Sequence, residues 1–105
     1  MNGDGTFTAK VRVCLDAEAM RGREGWRTGI RLNHRIPGRG SEMFMGTLTF
    51  LNREWLRPGE CTEASGSFMI MPVDAPLFVP GFSWELCEGL RVVGQAGLLE
   101  HSDAQ

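Results

Sequence analysis

The chain has 105 residues, 42% of them hydrophobic and 23% charged, with a net charge of −2. That length and balance describe one globular domain with one modest core, and no low-complexity tract is present. No apolar run approaches the ~20 residues of a membrane helix, and the opening Met1-Asn2-Gly3-Asp4-Gly5 has neither the basic nor the apolar region of a signal peptide.

Residues 1–5 and 100–105 are expected to be frayed ends around a single domain spanning 6–99. Thr6 to Leu15 alternates, with Phe7, Ala9, Val11, Val13 and Leu15 on one side and Thr8, Lys10, Arg12 and Cys14 on the other. Period two is the mark of a half-buried strand. Asp16 to Gly25 reads as a long loop, because Gly22 and Gly25 cut short the one helical turn that Asp16 to Met20 could form. In Trp26 to Ile36 the residues Trp26, Thr28, Ile30, Leu32, His34 and Ile36 point one way, and Arg27, Gly29, Arg31, Asn33 and Arg35 the other. The arginines also recur every four residues, as on a helix, but Gly29 within the run and Pro37-Gly38 after it oppose that, so the stretch is predicted to be one strand. Gly38-Arg39-Gly40 is read as a turn rather than a phosphate cradle.

Met43 to Leu51 is predicted as the third strand and Cys61 to Pro72 as the fourth. Between them Arg57-Pro58-Gly59-Glu60 has the Pro-Gly chemistry of a type II turn, which Val79-Pro80-Gly81-Phe82 repeats. Phe82, Trp84 and Leu86 then face inward on a fifth strand, with Ser83, Glu85 and Cys87 outward. Glu88-Gly89-Leu90 turns into the last strand, Arg91 to Leu99. Six strands punctuated this way predict an all-β fold, a six-stranded antiparallel barrel whose closure removes exposed sheet edges.

A search for catalytic chemistry returns little. The chain has no phosphate-binding Gly-x-x-x-x-Gly-Lys-Ser/Thr loop and no Gly-x-Ser-x-Gly elbow. His34 and His101 are the only histidines, too few for a zinc site, and the alternation around His34 makes it a structural residue. Cys14, Cys61 and Cys87 are odd in number and match no metal or redox spacing, so they are read as free thiols in a reducing, cytoplasmic compartment. No enzyme activity, cofactor, metal or nucleotide is expected. Met43, Met45, Met69 and Met71 recur at period two on two strands, either as core and rim filler or as an adaptable apolar contact surface.

The best functional signal is basic. Six of the eleven basic residues fall between Arg21 and Arg39 with one acid, Glu24, so this segment carries +5 and the remainder −7. On an extended strand Arg27, Arg31 and Arg35 would lie in a row on one face, with Asn33 among them. Such a row suits a localised anionic partner, since guanidinium forks bind phosphates and carboxylates bidentately.

These residues resemble a known family. Thr28-Gly29-Ile30-Arg31-Leu32-Asn33-His34 is similar to the Thr/Ser-Gly-Tyr-Arg-Pro-Gln-Phe strand in the C-terminal barrel of elongation factor Tu. Glu88-Gly89-Leu90-Arg91-Val92-Val93-Gly94 is similar to that barrel's Glu-Gly-Gly-Arg-Thr-Val-Gly hairpin, and Arg57-Pro58-Gly59-Glu60 to its Met-Pro-Gly-Asp turn. The three motifs occur in the same order across residues 6–99. The resemblance implies the six-stranded barrel and a contact to the tRNA T-stem backbone through Arg31, Glu88 and Gly89. It covers neither the GTPase domain nor the second barrel of the full-length factor, and Leu32, Leu90 and Met71 replace a Pro, a Gly and a frequently basic residue.

Two functions are therefore expected of a non-catalytic module. One is binding of tRNA or structured RNA through Arg27, Arg31, Asn33, Arg35, Glu88, Gly89 and Arg91. The other is protein interaction, as an inhibitor, an immunity-type partner or a homo-oligomer, in which the same basic strand meets an acidic surface and Met43, Met45, Trp55 and Leu56 add apolar contact. No membrane role is expected.

Overall fold

The computed structural model describes residues 5–20 and 22–102. The expected fraying of residues 1–4 and 103–105, and Arg21 of the basic segment, lie outside the described residues. Gly5 departs from the expectation: it is buried, and its carbonyl accepts the Ile70 N–H at 2.9 Å.

The strands are β1 (Thr6–Leu15), β2 (Trp26–Arg27), β3 (Ile30–Arg35), β4 (Phe44–Phe50), β5 (Trp55–Leu56), β6 (Cys61–Met69), β7 (Ser83–Glu88) and β8 (Arg91–His101). Six of them close into an antiparallel barrel in the order β1-β6-β4-β3-β7-β8, and the two short ones, β2 and β5, pair separately. The period-two patterns are the cause: along β1, β4 and β6 apolar or small residues are buried at alternate positions and the intervening residues, mostly polar with Met45 and Met69 among them, face out.

Three boundaries differ from the sequence reading. The Trp26–Ile36 stretch is two strands, split at Thr28-Gly29, where Gly29 takes φ +87°. A positive φ is open to Gly and strained for other residues, so the bend is written at that position. The alternation survives the bend, because Trp26, Leu32, His34 and Ile36 are all buried. The fourth strand stops at Met69, and Pro72–Leu77 forms a 3₁₀ helix instead, which places Phe78 in the core. The last strand runs on to His101, whose Nε2 lies 2.7 Å from the Phe78 carbonyl oxygen.

The barrel is filled largely by rings. Phe7, Phe44, Phe68, Phe78 and Trp84 contact one another with centroids 5.2–6.3 Å apart, mostly tilted or edge-to-face. His34 sits among them fully buried, as its alternation implied. Its Nδ1 accepts the Trp84 indole N–H at 2.9 Å, which leaves the proton of a neutral ring on Nε2. Nε2 faces the Gly46 backbone without hydrogen-bond geometry and has no partner. Burial pushes the His34 pKa down to about 4, against a smaller upward pull from the Gly46 backbone.

The cysteines correct the sequence reading. Cys14 and Cys61 are opposed in the β1–β6 register and joined by a disulfide, so they are not free thiols. Cys87 is free but buried rather than outward. The β7–β8 register shifts by one residue between Leu86 and Cys87, and both are shielded from solvent.

Candidate contact surface

β3 positions the predicted site residues. Arg31, Asn33 and Arg35 emerge on its outer side, while Leu32 and His34 anchor it from within. Arg27 lies beyond the Gly29 bend, on β2, so the arginine row is interrupted rather than continuous. The Glu88-Gly89 turn closes the β7–β8 hairpin. β7 runs antiparallel beside β3, with Asn33 opposite Cys87, so Arg31 near the start of β3 and the Glu88-Gly89 turn at the end of β7 lie toward the same end of this strand pair.

Most of the basic residues are already neutralised. Arg27 pairs with Glu54. Arg35 donates to Glu85 at 2.7 Å and to the Gly40 carbonyl at 3.0 Å. Arg39 pairs with Asp74 at 3.0 Å, and Arg53 with Glu60 at 3.1 Å. Glu88 is the busiest acid: it accepts from Arg23 at 2.5 Å and 2.6 Å and from the Trp26 indole at 3.3 Å, with Arg91 at 3.8 Å. Burial alone would raise the Glu88 carboxyl, but those hydrogen bonds and the two guanidinium charges outweigh it and hold the group below the usual carboxylate range. Of the row Arg27, Arg31 and Arg35, only Arg31 has no carboxylate partner among the described residues.

Arg31 borders a surface of different character. Across the sheet the register aligns Arg31 with Thr47, Ser67 and Thr8, and the neighbouring row aligns Asn33 with Met45, Met69 and Thr6. Between the two rows lies a shallow depression of about 280 Å³ lined by Thr6, Arg31, Met45, Thr47, Ser67 and Met69. Met45 and Met69 are 46% and 57% exposed, and Met71, at the rim of an adjoining smaller cleft that Met43 also lines, is 67% exposed. Arg31 carries the only formal charge among the residues lining the depression.

The apolar contacts expected with the methionines divide. Leu56 is fully buried in the core and cannot supply one, and Trp55 is half-buried on β5, past the opposite end of β4 from Met45. The Thr47–Ser67 part of the surface was missed, although the outward Ser65, Ser67 and Met69 are visible in the sequence as alternate residues of β6. Its other half comes from β4, and only the β4–β6 register joins the two.

No metal-binding cluster of His, Cys, Asp or Glu occurs among the described residues, and none of their helices is long and apolar enough to cross a membrane. No family model matches the sequence, and no curated protein is significantly similar to it.

Proposed function

We propose that the chain is a non-catalytic binding module that docks a protein partner on the outer face of β3, β4 and β6. The observation behind this reading is the distribution of ion pairs: Arg27 and Arg35 are committed to carboxylates of the same chain, while Arg31 has no carboxylate partner among the described residues and lies beside exposed methionines and small hydroxyl side chains. The centre of a protein interface is depleted in charge and enriched in Met and Arg, and Met adapts to the shape of what it meets. The partner that fits presents apolar side chains and one carboxylate directed at Arg31. A phosphate backbone would instead have to draw Arg27 and Arg35 away from Glu54 and Glu85. The test is affinity capture from lysate with and without RNase, comparing the parent with Arg31→Glu and Met69→Lys. The expected result is a retained protein that resists RNase and is lost in both variants; release by RNase would contradict it.

A second reading, RNA contact, draws on the resemblance to the C-terminal barrel of elongation factor Tu, and one observation favours it: Arg31 and the Glu88-Gly89 turn lie toward the same end of the paired strands β3 and β7. It is measured with tRNA by fluorescence anisotropy across salt concentration. For a duplex contact, Arg31→Ala should lower the magnitude of the salt slope by about 0.9 per phosphate lost, with Arg27→Ala leaving it unchanged. A slope that ignores Arg31 removes this reading.

A further inference from the structure

The geometry points to the Cys14–Cys61 disulfide as a thiol-exchange site, at which a low-molecular-weight thiol attaches to Cys61 while Cys14 leaves as a thiolate held by Arg12. Nothing in the proposed docking surface is needed for it. The two cysteines are directly opposed at the last β1–β6 pair, on the outside of the barrel. β4 pairs with β6 only as far as Phe50–Ala64, so Cys61 has β1 on one side and no strand on the other. It is exposed, while Cys14 is half-covered by its neighbour Gln95 on β8. An incoming thiolate therefore reaches the Cys61 sulfur more easily.

The leaving group is prepared on the other side. Arg12 Nη1 lies 3.4 Å from Cys14 Sγ, and both border a cleft of about 140 Å³ lined also by Ser83, Gln95 and Gly97. A thiol whose anion is stabilised by a guanidinium leaves faster. The step balances as a displacement. The external thiol loses its proton to solvent and its sulfur bonds to Cys61 Sγ; the Cys61–Cys14 bond breaks, and its electron pair leaves on Cys14 Sγ. The external sulfur is oxidised and Cys14 reduced. Eight further β1–β6 residue pairs, from Thr6–Met69 to Val13–Thr62, hold the two strands together without the bond, so the barrel persists after opening.

The experiment incubates the oxidised protein with millimolar reduced glutathione, quenches by alkylation and maps adducts by peptide mass spectrometry, with circular dichroism in parallel. The expected result is glutathione on Cys61 in excess of Cys14 and Cys87, with the β spectrum retained. Arg12→Ala should slow opening several-fold and Arg12→Lys should restore part of the rate. An adduct mainly on Cys14 or Cys87, no opening within a day, loss of the barrel on opening, or a rate indifferent to Arg12 would each overturn it.

Discussion

The rim around Glu88 and the face around Arg31 lie at neighbouring ends of the same strands, yet they use arginine in opposite ways. At the rim Arg23 and Arg91 converge on one carboxylate that also accepts from Trp26, so the guanidiniums there tie loops to the barrel end. On the face Arg31 has hydroxyl and thioether neighbours and no acid among the described residues that line the depression. The two regions also differ beneath the surface. The face lies over the ring cluster of His34, Phe44 and Phe68, while the rim adds partly exposed ion pairs, which contribute little each, around the buried Trp26. Positive charge in a sequence is thus not equivalent to positive charge available to a partner. What distinguishes the two is the register, which decides whether an acid stands opposite.

The comparison is broken most strongly from inside. His34 is held near pKa 4 in the fold, against 6.5 in the unfolded chain, so the unfolded state binds more protons between those values. The stability it contributes is complete above pH 6.5 and is lost as pH falls toward 4, on the order of 3 kcal/mol in all. Urea titrations at several pH values should show this loss, and His34→Phe should flatten it. Glu88 at the rim, whose carboxyl is held low, adds a loss of the same sign at more acidic pH. Next comes Gly46→Ala. An added Cβ would stand 2.5 Å from His34 Nε2 and 2.6 Å from Phe68 Cδ1, so a loss of about 1–3 kcal/mol is expected by urea melt. Met69→Lys sharpens the contrast on the outside: it should leave the melting temperature unchanged while weakening partner binding at least about tenfold, as an interface anchor does. The smallest effect is expected of Arg27→Ala, no more than ~0.5 kcal/mol in stability, with binding intact.

Much of the fold was legible because the alternation is strict. In β1, and in the inner row Leu32-His34-Ile36, every side followed from period two. Proline and glycine fixed the turns at Pro37-Gly38 and Pro58-Gly59. What period two could not show was where pairing slips. The one-residue shift beside Cys87 buried a side chain expected outside, and the Gly29 bend cut the arginine row that looked continuous. The Cys14–Cys61 bond was invisible for a related reason. An odd cysteine count says nothing of which residues face each other, and these two do so only once β1 and β6 are aligned. The candidate site was legible as residues and not as a surface: Arg31 and Met45 stood out, but the loss of Arg27 and Arg35 to Glu54 and Glu85 depended on partners 27 and 50 residues away.

The most direct measurement is site-specific photo-crosslinking in lysate, with a photoreactive residue placed at Met69 on the face and, separately, at Arg27 beyond the bend. A discrete protein adduct that survives RNase, formed from position 69 and absent from position 27, is the expected result. Crosslinks to RNA, or a protein adduct formed from position 27 alone, would contradict the assignment of the β3–β4–β6 face as the docking surface.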